Sequence, residues 1–117
     1  MQANASKKLT ILVAEDDDFQ RETLSQILKK CEYEVVAVED GKKAMDRLKT
    51  PGIEFDLVLL DLYMPEMDGF EVLSLMKEDE ILKHIPIVVM SSMESNDIIS
   101  NCLKMGAMNY LVKPLKL

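Results

Sequence analysis

The chain of 117 residues is long enough for one hydrophobic core and too short for two full domains. Its hydrophobic fraction of 48% beside a charged fraction of 30% is that of an ordinary globular protein, which excludes a disordered or fibrous chain. A net charge of −7 excludes a grip on nucleic acid backbones, which needs clustered Lys and Arg.

Residues 1–8 are polar and read as a flexible leader, with residues 9–117 forming the one domain. The apolar run Leu9 to Ala14 is too short for a signal-peptide core or a membrane span, so no membrane insertion and a cytoplasmic location are expected. It reads instead as a strand covered on both faces. Leu24, Ile27, Leu28 and Cys31 then mark one face of a helix, with Asp17 or Asp18 as its N-cap. Glu34 to Val38 is a second strand, ended by the turn-forming Asp40-Gly41. Ala44, Met45 and Leu48 give a short helix closed by Thr50-Pro51-Gly52.

Phe55 to Leu60 is the most apolar run and predicts the central strand. Asp68-Gly69 opens a third helix carrying Phe70, Leu73 and Met76 inward. Ile85 to Met90 reads as a fourth strand with Pro86 tolerated near its start. Ile98, Ile99, Cys102, Leu103 and Met105 give a fourth helix stopped by Gly106, and Asn109 to Val112 is a fifth strand. Cys31 and Cys102 both fall on helical patterns, which predicts free, buried thiols in a reducing compartment. His84, the one histidine, sits in a polar connection and reads as surface decoration.

Strands alternating with helices predict an α/β fold with a parallel sheet and right-handed crossovers. Ligands of such sheets bind beyond the carboxyl ends of the strands. Here the strands end in Glu15-Asp16-Asp17, in Asp61, in Ser91-Ser92 and in Lys113-Pro114. Any one of these acids could be a helix cap, but four strands turning polar together at one edge predict a site. Converging carboxylates repel one another, and a hard divalent cation such as Mg²⁺ relieves that repulsion. Lys113 as a surface ion pair would be worth only ~0–1 kcal/mol. Beside a metal and a carboxylate nucleophile it becomes a clamp for phosphoryl oxygens, with Ser91 as a further donor.

The run Asp61-Leu62-Tyr63-Met64-Pro65-Glu66-Met67-Asp68-Gly69 resembles the response-regulator receiver domains of two-component and phosphorelay signalling. The likeness extends to Ile11-Leu12-Val13-Ala14-Glu15-Asp16, to Ser91, and to Gly106-Ala107 followed by Tyr110 and Lys113-Pro114, and covers Leu9 to Leu115. It implies a flavodoxin-like, doubly wound, five-stranded parallel sheet of order 2-1-3-4-5. It further implies Asp61 as phosphoacceptor, assisted by Lys113 and Ser91. Mg²⁺ or Mn²⁺ would be held by Glu15, Asp16, Asp61 and the backbone carbonyl of Tyr63. Ser91 and Tyr110 would form the switch pair, and the peptide to Pro114 would be cis. The implied partners are a histidine kinase or histidine phosphotransfer protein and an output domain or effector. Such a protein is no enzyme beyond catalysing its own phosphorylation and dephosphorylation.

Two departures carry expectations. The sequence stops at Leu117, so the fifth helix of the family is missing or truncated, as in a fragment of a longer protein. That predicts an exposed apolar strip beside strands one and five, and with it self-association, as a dimer for example, or lowered stability. Tyr63 and Met93 stand two residues after Asp61 and Ser91, where receivers flank the water that attacks the aspartyl phosphate; a slow hydrolysis is expected. The rival readings are a haloacid-dehalogenase-type phosphatase, a flavodoxin-like cofactor binder and a non-phosphorylated pseudo-receiver serving as a protein-interaction module. The first needs an acid where Tyr63 stands, and the second needs a Ser/Thr/Gly-rich phosphate loop after strand one. The third would be supported by loss of Asp61 or Lys113, and both are present.

Overall fold

The computed structural model describes residues 7–115, so all but the last two residues of the expected leader lie outside the described residues. Five strands form one parallel sheet: β1 Thr10–Ala14, β2 Glu34–Val38, β3 Leu57–Asp61, β4 Ile87–Ser91 and β5 Asn109–Val112. Their order is β2-β1-β3-β4-β5, as the resemblance implies. Four helices connect them: α1 Asp18–Lys30, α2 Gly41–Leu48, α3 Gly69–Glu78 and α4 Asn96–Lys104, with a 3₁₀ turn at Leu82–His84 before β4.

Alternation along the strands divides the core in two. Leu12, Ala14, Val58, Leu60, Ile87 and Val89 face one side, where Ala44, Met45 and Leu48 of α2, Val72, Leu73 and Met76 of α3, and Cys102 of α4 cover them. Ile11, Val13, Leu59, Val88 and Met90 face the other, under Leu24 and Leu28 of α1. Helices on both faces make the sheet doubly wound, and strands this apolar on both sides need that cover.

Each helix start is fixed by its cap. The side chains of Asp17, Asp40, Asp68 and Ser95 accept from the amides of Gln20, Lys43, Glu71 and Ile98, each worth ~1 kcal/mol. Asp40-Gly41 is thus the start of α2 rather than a separate turn.

Several expectations need correction. β3 begins two residues after Phe55 and takes in Asp61, and β4 begins after Pro86, which has no amide to give a ladder. Cys31 is exposed because it caps the C-terminus of α1 instead of continuing its inner face; Cys102 is buried, and both thiols are free. On the α1 side of the sheet Val88 and Met90 are buried and Leu57, Leu111 and Leu115 are half-buried, while Leu9, Met108 and Phe19, which lines a groove with Met90 and Leu115, are exposed.

Candidate functional site

Parallel pairing lines up the carboxyl ends of the strands. The register sets Ala14 against Leu60, Asp61 against Met90, and Ser91 against Val112. Glu15 follows β1 with its amide still donating to the Val38 carbonyl (3.1 Å), and Lys113 follows β5 with its amide on the Ser91 carbonyl (2.8 Å). The backbone of four strands therefore fixes where these side chains start.

Their ends meet. The Lys113 ammonium donates to Glu15 Oε1 at 2.6 Å and to Asp61 Oδ2 at 3.2 Å. Glu15 and Asp61 are 2% and 5% exposed, while Asp16 is open to solvent at the rim. Carboxylate oxygens of Glu15, Asp16 and Asp61 all lie within 4.8 Å of one another. The other Glu15 oxygen accepts from the Asp17 amide at 3.1 Å, and Asp61 Oδ1 accepts from the Tyr63 amide at 3.4 Å.

Burial pushes the Glu15 carboxyl above its ordinary range, against the pull of Lys113 and the Asp17 amide and with the help of neighbouring Asp61. Burial alone would lower Lys113, but the hydrogen bond to Glu15 and the charges of Asp61 and Glu15 outweigh it and hold the ammonium above its usual value. Lys113 thus stays charged. Three carboxyl groups converge and one ammonium pairs with two of them; this all-oxygen donor set, two members buried and one at the rim, fits a hard divalent cation such as Mg²⁺ or Mn²⁺.

The segment after Asp61 is tightly folded. Gly69 donates to the Leu62 carbonyl at 2.8 Å, Met67 to that of Pro65 at 2.8 Å, and Glu66 sits between them at φ 68°. A side chain at Gly69 would run into the Asp61 carbonyl, so this close approach requires glycine. The Tyr63 ring meets Phe70 edge-on at 6.1 Å and remains half exposed.

Ser91 and Tyr110 both attach to Met93. Ser91 Oγ accepts from the Met93 amide at 3.1 Å, and the Tyr110 hydroxyl donates to the Met93 carbonyl at 2.7 Å. The Tyr110 ring is buried, and the peptide from Lys113 to Pro114 is cis. His84 lies exposed at the opposite edge of the sheet, before β4. Sequence reasoning passed over Arg21, whose guanidinium donates to the carbonyls of Glu15 and Asp16. The signal was there: a cation in the first turn of a helix opposes the helix dipole and asks for a reason.

The sequence matches the response regulator receiver domain over residues 11–117, and the chain belongs to that family. It is 40% identical over 108 residues to the two-component response regulator-like protein APRR5 of Arabidopsis thaliana, covering 92% of this chain and 19% of that one. The chain spans only 14% to 23% of the length of the first curated relatives it matches. Among solved structures it is similar to the phosphorylated cyanobacterial phytochrome response regulator RcpA, with a TM-score of 0.85 and 33% identity over 92% of this chain and 81% of that one. The Mn²⁺-bound form of response regulator Rcp1 is similar too, with a TM-score of 0.84 and 31% identity over 93% of this chain and 84% of that one. No helix among the described residues is long and apolar enough to cross a membrane.

Proposed function

We propose that this receiver domain is a phosphoacceptor, taking a phosphoryl group onto Asp61 from the phosphohistidine of a histidine kinase or histidine phosphotransfer protein. The observation that carries the reading is the buried ammonium of Lys113 bridging Glu15 and Asp61. An Asp61 oxygen forms the bond to phosphorus while the donor's phosphorus–nitrogen bond breaks and the leaving imidazole keeps the electron pair. Lys113 then moves its contact from the free carboxylate to a phosphoryl oxygen, and Ser91 donates to another. A divalent cation, held by Glu15, Asp16, Asp61 and the Tyr63 carbonyl, would offset the charge of the phosphoryl oxygens. Catalysis of this kind is positioning and charge stabilisation, and these residues supply both.

The product is a signal rather than a metabolite. Drawing the Ser91 hydroxyl toward the phosphoryl group loosens its bond to Met93, the residue that also holds the Tyr110 hydroxyl. The added charge thereby biases a two-state surface read by an output domain or effector. The domain is no enzyme beyond catalysing its own phosphorylation and dephosphorylation. The free cysteines fit a reducing, cytoplasmic setting.

One observation favours a second reading: relatives such as APRR5 are named response regulator-like, which suits a pseudo-receiver acting as a protein-interaction module. The presence of Glu15, Asp16, Asp61 and Lys113 together weighs against it. The test is incubation with acetyl phosphate, with and without Mg²⁺, followed by intact mass on the wild-type protein and Asp61→Asn. A Mg²⁺-dependent gain of one phosphoryl group, labile to hydroxylamine and absent in the variant, is expected. No gain in folded protein would favour the pseudo-receiver.

A further inference from the structure

Arg21 is the fourth residue of α1, and its side chain is 19% exposed. One guanidinium nitrogen, Nη1, donates to the carbonyl of Glu15 at 2.9 Å and to that of Asp16 at 3.3 Å. The other, Nη2, donates to Asp18 Oδ1 at 2.5 Å. The helix holds the base of the side chain firmly: the Arg21 amide donates to the Asp17 carbonyl at 2.9 Å, and its carbonyl accepts from the buried Ser25 hydroxyl at 2.8 Å. The guanidinium thus ties the two consecutive peptides that carry the acidic pair to the first turn of α1.

Those two peptides have left the sheet. Glu15 keeps one sheet bond, through its amide, and Asp16 lies between strand and helix. Without the guanidinium their carbonyls lose a charged donor, and the backbone can rotate the two carboxylates away from Asp61. A planar guanidinium can serve both carbonyls and Asp18 at once, whereas a lysine ammonium is a single point. A cation at this end of a helix is opposed by the helix dipole.

We infer that Arg21 is a positioning residue for the divalent-cation site, holding the backbone of Glu15 and Asp16 so that their carboxylates converge with that of Asp61. The inference rests on the reading of that cluster as a metal site. Two effects of the guanidinium compete, since its charge also repels a cation. Its pairing with Asp18 answers that charge close by, so the positioning effect dominates and removal of Arg21 weakens metal binding.

The experiment measures Mn²⁺ affinity without any phosphodonor, from the electron paramagnetic resonance signal of the free ion, on the full chain and on Arg21→Met and Arg21→Lys. Melting in EDTA is followed in parallel to separate folding from binding. Arg21→Met is expected to weaken Mn²⁺ binding about tenfold, the usual cost of losing a group that orients metal ligands. Arg21→Lys should fall between that and the wild type. Binding by folded Arg21→Met within twofold of wild type would overturn the inference, as would tighter binding, which would make Arg21 a repelling charge. If Arg21→Met does not fold, Arg21→Lys decides: weaker binding supports the role of the fork, and wild-type affinity overturns it. Failure of the wild-type protein itself to bind Mn²⁺ would overturn the metal-site reading and the role of Arg21 together.

Discussion

Lys113 and Glu15, 98 residues apart in the chain, meet in a 2.6 Å hydrogen bond inside the carboxyl edge of the sheet. The same ammonium reaches Asp61 at 3.2 Å, so one cation holds two buried carboxylates that would otherwise repel. Breaking a buried pair by removing one partner costs more than the pair contributes, because the remaining charge is left without an answer.

Lys113→Met should therefore destabilise the metal-free protein by about 3 kcal/mol. If the acidic cluster is a metal site, Mg²⁺ takes over the neutralising role, and at a hundredfold excess over its dissociation constant a ligand adds about 2.7 kcal/mol. Urea unfolding in EDTA and in Mg²⁺ should show the variant gaining more from the ion than the wild type does. Equal gains in both proteins would mean that Lys113 and the ion do not share the same carboxylates.

Gly69 is the second place where the fold and the site are one object. A methyl group there would overlap the Asp61 carbonyl and crowd Leu62 Cα, both of them backbone atoms that cannot swing aside. Gly69→Ala should cost about 1–3 kcal/mol by overpacking, although alanine favours the helix that starts there. It should also slow phosphorylation by acetyl phosphate, since relief of the clash moves Asp61. An unchanged midpoint of unfolding would show that the loop relaxes freely.

Much of this was legible in the sequence, and the residues say why. Glu34–Val38 and Asn109–Val112 have the bounds expected of them, because polar or turn-forming residues punctuate both ends. The converging acids and Lys113 were legible because a parallel sheet gathers strand ends at one edge. Cys31 is exposed against expectation because helical spacing alone does not say where the inward stripe ends. Glu32 and Glu66 stand at φ 68°, a region that favours glycine, so nothing in their side chains announces these turns. Arg21 had a single signal, a cation in the first turn of a helix, because the carbonyls it serves are backbone atoms with no sequence signal of their own.

Asp79 gives a pH-dependence away from the site. It accepts from the amides of Ile81 at 2.8 Å and Leu82 at 2.9 Å, and bonds from the Leu82 and Ile81 amides hold its carboxyl below the ordinary 3.8. A group lowered on folding binds fewer protons in the native state, so its contribution is present above 3.8 and lost as pH falls through the native value. The difference in urea midpoint between wild type and Asp79→Ala should be full near neutral pH and shrink below 3.8. A difference constant through that range would mean the two amides do not favour the charged form.

On the phosphoacceptor reading, the lifetime of the acyl phosphate is set by the access and aim of the attacking water. Tyr63 and Met93, two residues beyond Asp61 and Ser91, are 48% and 42% exposed, and on the same reading they flank that water's approach. Tyr63 is braced edge-on against the Phe70 ring, and its amide is tied to Asp61. A phenol ring and a thioether orient water poorly, and orientation of the reacting water is where the rate of hydrolysis is made. On the phosphoacceptor reading, the phosphorylated protein should survive well beyond seconds in Mg²⁺ after removal of the donor. Tyr63→Asn, which replaces the ring with a short hydrogen-bonding group, should shorten that lifetime by on the order of tenfold. The loss of phosphoryl mass with time measures both. A wild-type half-life of seconds, or a Tyr63→Asn protein that hydrolyses no faster, would show that these side chains do not control the water.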